Sequence, residues 1–311
     1  MALFGTDGKA MNEFDVIGRY FAPLSKDGLI NDAAVIDIPP GHQLVVTSDT
    51  LNAGTHFMAD ARPDDIAHKA LRVNISDLYA MGATPLCYQL NIAYPEKPTS
   101  DWLESFTHAL SDDQKRYELY CSGGDTTTIM GDTLSVSITA LGVVHADTAW
   151  PRDGARAGDA IVVQGTIGDA WIGLQVLRGE LKTDDDAYFI GRYYKPEIKA
   201  FHAAIPSAAI DISDGFIADL THICERSNIG AVVEADQIPV SDPARRLLEQ
   251  GQVSVQDLIT GGDDYALVLA IPQDQVKNNM TVIGTFTGTD ILVNDAKGVP
   301  LTINSKGWTH F

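Results

Sequence analysis

Leu119-Tyr-Cys-Ser-Gly-Gly-Asp-Thr-Thr-Thr128 is the stretch from which the rest of the chain can be read. Tyr117 to Ser122 reads as a strand that ends in two glycines and a carboxylate. Gly123 and Gly124 have no Cβ, so a ligand can come close to the backbone and unusual φ/ψ values cost little. Asp125 offers hard oxygen ligands beside the hydroxyls of Thr126 and Thr127, a set suited to a phosphate that carries Mg²⁺. The same residues also read as an ordinary Gly-Gly turn with Asp125 in an Asx-turn.

Upstream, Asn12 to Leu24 places Phe14, Ile17, Phe21 and Leu24 at helical spacing. Gly28 to Ile36 reads as a turn entering a strand of small residues, with Asp32 at its start. His42 to Leu51 predicts a strand whose C-terminal end carries Thr47, Ser48, Asp49 and Thr50. Four oxygen-bearing side chains in a row suit a hard cation, or else a polar cap. His56 falls in the loop that follows. Pro63 to Gly82 predicts a largely buried helix, with Asp64 and Asp65 at the positive end of its dipole and Gly82 as its stop. Asn74 and Asp77 share one face of it. A buried Asp77 requires either a metal or a cationic partner such as Arg72 or Lys69. Strands at 86–93 and 134–144 and a helix at 99–117 complete the first half.

Trp150 to Asp159 is rich in turn residues and marks a boundary between domains at 1–149 and 150–311. Arg152 is one of few cations in an acidic protein; an arginine fork can clamp a phosphate, and a plain surface role is the other reading. Ala208-Ala-Ile-Asp-Ile-Ser-Asp-Gly215 then runs from a strand into a helix at 216–227. Strand alternation aims Asp211 and Ser213 the same way. With Asp214 they resemble a second cation–phosphate site at a helix N-terminus, although Ser213 or Asp214 also reads as a cap. Thr260-Gly-Gly-Asp-Asp-Tyr265 repeats the Gly-Gly-Asp theme before a strand at 266–271. Trp308 reads either as a core anchor or as a face for stacking on a ligand ring.

The balance of 42 acidic and 22 basic residues gives a formal charge of −20, which repels nucleic acid and anionic membranes. An anionic substrate would need cations beside it. The three cysteines have no metal-binding or disulfide spacing and point to a reducing compartment. Met1 to Phe14 has no apolar core of signal-peptide length, and no apolar run is long enough to span a membrane, so a cytoplasmic protein is expected. There is no lysine-bearing phosphate loop and no protein-kinase signature set, so polyphosphate would have to be neutralised by metals.

Six segments occur in the order found in thiamine-monophosphate kinases: Asn-Asp-Ala-Ala-Val (31–35), Thr-Ser-Asp-Thr-Leu (47–51), Lys-Ala-Leu-Arg-Val-Asn-Ile-Ser-Asp-Leu-Tyr-Ala-Met-Gly-Ala (69–83), Gly-Gly-Asp-Thr-Thr (123–127), Asp-Ile-Ser-Asp-Gly (211–215) and Gly-Gly-Asp-Asp-Tyr (261–265). The chain resembles that family over nearly its whole length. The resemblance implies a two-domain α/β (α+β) fold of the aminoimidazole ribonucleotide synthetase type. Its N-terminal domain would bind ATP and Mg²⁺ and pair across a homodimer, and a C-terminal α+β domain would close the cleft.

Carried over residue by residue, the resemblance implies Mg²⁺ ligands at Asp32, Thr47, Ser48, Asp49, Asp77, Asp125, Asp211 and Asp214. ATP contacts would fall on Gly124, Asp125, Arg152 and Ser213, and thiamine phosphate contacts on His56, Asp263 and Trp308. The implied reaction is direct in-line transfer of the ATP γ-phosphoryl group to thiamine monophosphate, the last step of thiamine diphosphate biosynthesis, with no phosphoenzyme. Three positions depart from the family: Asn31 stands for an aspartate, Asp263 for a glutamate and Thr128 for a frequent arginine. The alternatives are a related synthetase or dehydratase, and a nucleotide- or metal-binding regulator without turnover.

Overall fold

The computed structural model describes residues 12–303 and Gly307. It divides into two compact units, Met1–Leu78 with Ala83–Asp147 and Tyr79–Gly82 with Thr148–Phe311. The fold is mixed α/β, with one sheet in each unit.

The first unit opens on a helical segment of changing pitch: α1 (Glu13–Val16), a π turn (Ile17–Phe21) and a 3-10 turn (Ala22–Leu24). The regular helix expected here does not form. Pro23 lacks an N–H donor, and Phe14 is exposed while Tyr20, Phe21 and Leu24 are buried. The strand expected after Gly28 is also absent, and Val35 is 91% exposed. Ala33 and Ala34 have little β propensity, and Pro39 and Pro40 offer no donors to a ladder.

Next come β1 (His42–Asn52), α2 (Pro63–Ala80), β2 (Thr84–Tyr94), α3 (Ser100–Tyr117), β3 (Tyr120–Thr128) and β4 (Ser135–His145). The sheet order is β1-β4-β2-β3, with β2 and β3 parallel across the α3 crossover and the other pairs antiparallel. The Thr99 hydroxyl caps α3 by accepting the Trp102 N–H at 3.2 Å, and Glu118 ends the helix in the left-handed region. α2 buries most of its circumference, as its apolar pattern predicts. Arg72 on α2 grips Asp113 on α3 with bonds of 2.8 and 3.0 Å, and the His68 ring lies 2.8 Å from the same carboxylate. Burial opposes ionisation of Asp113, but His68 and Arg72 outweigh it and hold the carboxyl below its usual range.

The second unit contains β5 (Ala160–Gln164), α4 (Asp169–Leu177), α5 (Asp186–Tyr194), β6 (Ala208–Asp211), α6 (Phe216–Ser227), β7 (Ala231–Glu234), α7 (Asp242–Glu249), α8 (Val255–Thr260), β8 (Leu267–Ile271), β9 (Thr281–Phe286) and β10 (Ile291–Asn294). The strand order is β10-β7-β9-β5-β8-β6. α6 packs Phe216, Leu220 and Ile223 on one sheet face against Ile161, Ile210 and Val268. Phe201 covers Val162 and Leu269 on the other face. A smaller core joins α4, α5, α7 and α8 through Ile172, Phe189, Leu247 and Leu258. α5 and α8 are too short to declare a period, although Ser254 and Asp257 form a capping box on α8. No helix among the described residues is long and apolar enough to cross a membrane.

Candidate active site

β3 does not stop at the glycines; it runs through them to Thr128. Its pairing with β2 slips by one residue, since Tyr88 faces Cys121 and Gln89 faces Gly123. Ser122 is therefore a bulge, and its hydroxyl donates to the Tyr88 carbonyl at 3.1 Å. Past the bulge the two backbones crowd together. A Cβ on Gly124, at φ 152°, would sit 1.8 Å from the Leu90 carbonyl oxygen, whereas nothing lies within 4 Å of one on Gly123. Gly124 is thus demanded by β2, and the open space lies at Gly123.

Asp125 is exposed, with Oδ1 accepting the Thr126 N–H at 2.8 Å. It lines a cavity of about 420 Å³ with Gly124, Asp32 and Asn31, walled by Phe21, Leu29 and Leu90. The structure therefore joins Asp32 to the Gly-Gly-Asp motif even though no strand carries Asp32.

A second group lies between β1 and α2. Strand alternation turns Thr47 and Asp49 toward the helix, where the Thr47 hydroxyl donates to the Asp77 carboxylate. The Asn74 side-chain oxygen accepts the Asp49 N–H at 3.1 Å. Burial, and then the charge on Asp77, pushes the Asp49 carboxyl up to about 6. Ser48 points to the opposite face, with its hydroxyl 3.2 Å from the Ile138 carbonyl and 3.0 Å from the Thr139 hydroxyl. The run of four oxygens is thus split between two faces.

Asp49, Ile138, Leu90 and Gly124 lie in one row across the sheet. β1 and β3 are its two edges, three strand spacings or about 14 Å apart. Within one chain, the Asp49–Asp77 pair and Asp125 are too far apart to share one cation. Among the described residues, no three His, Cys, Asp or Glu side chains converge as a ready-made metal site. His56, in the turn after β1, accepts the Asn52 N–H on Nδ1 at 3.0 Å.

In the second unit Asp211 ends β6 and is 3% exposed. Gly215 is the N-cap of α6 and no side chain caps it, so neither Ser213 nor Asp214 serves as the cap. Asp219, in the first turn of α6, reaches back instead. Its Oδ2 accepts the N–H groups of Ser213 at 3.0 Å and Asp214 at 3.1 Å. A loop at a helix N-terminus ordinarily offers such donors to a phosphate. Here they face inward, while Ser213 and Asp214 are themselves partly exposed. The loop reads as a cation site more than as a phosphate cradle.

The second Gly-Gly motif is laced to this loop. The Asp263 N–H donates to the Ser213 carbonyl and the Tyr265 N–H to the Ile212 carbonyl, both at 2.8 Å. A Cβ on Gly262 would lie 2.3 Å from the Ser213 oxygen. Asp263 (φ 70°) and Tyr265 (φ 53°) are both left-handed, a strain of roughly 1 kcal/mol or more each that tends to collect at functional sites. The Tyr265 hydroxyl donates to Asp263 Oδ1 at 3.2 Å. Between them, Asp264 is 1% exposed and accepts the N–H groups of Gly168 at 2.6 Å and Ala170 at 3.1 Å.

Gly307 also reaches this loop, because a Cβ there would lie 2.5 Å from the Asp214 carbonyl oxygen. Trp308 is outside the described residues. Arg152 is exposed, and the carbonyl of its neighbour Pro151 accepts the Ala209 N–H at 2.9 Å, two residues before Asp211. The Arg152 carbonyl accepts the Ser227 hydroxyl at 3.4 Å, at the C-terminal end of α6. That end lies roughly 18 Å along the helix from Asp214. Asp264 lies inside the quoted Gly-Gly-Asp-Asp-Tyr motif without a role read for it, and Asp219 lies outside every motif. The signal was present for Asp219 as a carboxylate among the apolar positions of α6, which Ile217 and Leu220 flank.

Burial and neighbouring carboxylates push Asp219 up to about 7 and Asp264 up to about 8. Both folded values lie above the unfolded carboxylate value. Their stabilising contribution is therefore complete below about pH 4 and is lost as pH rises through 7 and 8. Urea unfolding without divalent cations should show lower stability at pH 8 than at pH 5.5. Each group adds a slope of at most about 1.4 kcal/mol per pH unit. Asp264→Asn should flatten that slope, and an unchanged slope would remove Asp264 as its source.

Residues 30–144 match the family model described as AIR synthase related protein, N-terminal domain. The thiamine-monophosphate kinase of Salmonella typhimurium is 37% identical over 97% of this chain and 99% of its own length. The crystal structure of the Stenotrophomonas maltophilia K279a thiamine-monophosphate kinase superposes with a TM-score of 0.79 at 35% identity, covering 90% of this chain and 94% of that one. AaThiL complexed with AMPPCP and TMP superposes with a TM-score of 0.77 at 28% identity, covering 96% and 97%. The two units, their Gly-Gly-Asp motifs and this nearly full-length similarity agree, and the chain belongs to the thiamine-monophosphate kinase family.

Proposed function

We propose that this protein transfers the γ-phosphoryl group of ATP to thiamine monophosphate in line, giving thiamine diphosphate and ADP in the cytoplasm. The observation that carries this is the set of aspartate oxygens gathered at Asp32–Asp125, at Asp49–Asp77 and at Asp211–Asp214 in a chain of net charge −20. Such donors suit Mg²⁺, and the Asp49 carboxyl, pushed up to about 6 beside Asp77, fits a site built around a cation. Asp32, Thr47, Ser48, Asp49, Asp77, Asp125, Asp211 and Asp214 would hold the ions. Bound Mg²⁺ would neutralise phosphate charge during transfer.

Gly124, Asp125, Arg152 and Ser213 would orient ATP, and His56, Asp263 and Trp308 would hold thiamine monophosphate. The domain at 1–149 would carry ATP, Mg²⁺ and dimerisation, and the one at 150–311 would close the cleft. Trp308→Ala should raise the KM for thiamine monophosphate about tenfold with little change in kcat, the mark of lost uniform binding. An unchanged KM would take Trp308 out of the site.

The active unit is further proposed to be a homodimer. Leu44 and Val46 on β1 are 39% and 56% exposed on the sheet face away from α2. A second copy on this face would cover them and could supply the Asp125 that lies about 14 Å from Asp49 within one chain. The deciding assay is ADP release with ATP, Mg²⁺ and thiamine monophosphate, with formylglycinamidine ribonucleotide in a parallel tube. Turnover only in the second tube would move the reaction to purine synthesis. Silence in both would favour a binding protein.

A further inference from the structure

Asp219 belongs to none of the motifs that define the site, yet it touches the backbone of one of them. We infer that Asp219 is a positioning residue: its buried carboxylate holds the Ser213–Asp214 backbone so that these side chains face the nucleotide and its cation. The inference rests on the proposed role of that loop in binding ATP and Mg²⁺.

The geometry separates this role from ordinary helix capping. A cap accepts N–H groups inside the first turn of a helix. Asp219 accepts them from Ser213 and Asp214, which precede the N-cap Gly215. Its bonds therefore order the loop, not the helix. A single oxygen, Oδ2, receives both of these donors, and the Gly215 N–H adds a smaller backbone contribution to the same carboxyl.

The loop has little room to find another shape. Gly215 lies at φ 122°, and a Cβ there would sit 2.7 Å from the Thr260 carbonyl oxygen. On its far side the Asp263 N–H holds the Ser213 carbonyl. The backbone is pinned from both sides, and the residues that carry its side-chain oxygens, Ser213 and Asp214, are partly exposed. Asp219 itself is 3% exposed and is flanked by the core residues Ile217 and Leu220. A carboxyl so placed is costly to bury unless it is hydrogen-bonded, as this one is to the Ser213 and Asp214 N–H groups.

Two substitutions separate hydrogen bonding from charge. Asp219→Asn keeps an oxygen where both N–H groups converge, and Asp219→Ala removes it. Each is compared with the parent and with Asp214→Ala by calorimetric binding of AMPPCP with Mg²⁺ and by steady-state kinetics. Asp219→Ala is expected to weaken AMPPCP binding and raise the KM for ATP at least about tenfold, a loss of about 1.4 kcal/mol. The KM for thiamine monophosphate should change less than about twofold. Asp219→Asn should stay within about threefold of the parent, since its amide oxygen still accepts both N–H groups.

Parent-like binding by Asp219→Ala would overturn the inference, as would equal damage from Asp219→Asn, which would make charge the active property. A general fall in activity with both KM values unchanged would also overturn it, leaving Asp219 a stability residue. If Asp214→Ala itself binds AMPPCP like the parent, the reading of the loop fails, and not merely the role of Asp219. Should Asp219→Ala not fold, Asp219→Ser, with a shorter acceptor, carries the same comparison.

Discussion

Asp125→Ala should reduce kcat by at least about a hundredfold, the scale on which removing one preorganised electrostatic group from a site slows a reaction. Its melting temperature should hardly move. Asp125 is exposed on β3, and its Oδ1 accepts the N–H of the next residue. Exposed substitutions of this kind usually stay within about 0.5 kcal/mol. The combination separates a ligand-binding role from a structural one. A folded variant with near-parental turnover would mean that the central motif is a turn and nothing more. Mixing Asp125→Ala with Asp49→Ala adds a test of the dimer. If a site draws Asp49 from one copy and Asp125 from the other, the mixture regains activity that neither variant has alone. No recovery would mean that each chain completes its own site.

Gly124→Ala should be far more disruptive than its single added methyl suggests. The new Cβ would lie 1.8 Å from the Leu90 carbonyl oxygen, on a backbone at φ 152°. Overpacking costs about 1–3 kcal/mol, and an unfavourable backbone region adds roughly 1–3 kcal/mol more. A loss of about 3–5 kcal/mol in urea unfolding is therefore expected, with activity falling because Asp125 is the next residue. Gly123→Ala is the control, since its Cβ would meet nothing within 4 Å. That variant should fold like the parent, and any loss it shows would report crowding of the ligand. Equal stability losses at both positions would refute the crowding by β2.

Much was readable before folding because it depends on near neighbours in the chain. The α2 period, the alternation of β2 and β4 and the α6 boundaries are set by residues a few positions apart. Family membership was readable for a similar reason, since it rests on the order of short motifs. The end of β3 was not. Two glycines read locally as a turn, but the strand continues because β2 supplies the ladder and the Ser122 bulge absorbs one residue. The segment around Asp32 failed the opposite way: apolar side chains suggested a strand, and no neighbouring strand was there to pair with it.

By itself, the sequence determined the family, the two α/β units and the kinds of atom that could meet a phosphate: aspartate oxygens, hydroxyls and glycine backbone. Tertiary structure decided how those atoms are grouped. It turned Ser48 away from Asp49, set Asp125 on the opposite sheet edge from Asp49, and laced the two later motifs together through Ser213 and Ile212. It also gave Asp219 and Asp264 their tasks, by burying them against backbone donors of neighbouring segments. The reason is one of range: composition and spacing act over a few residues, whereas which face a side chain meets is settled by strand pairing and by burial against distant segments.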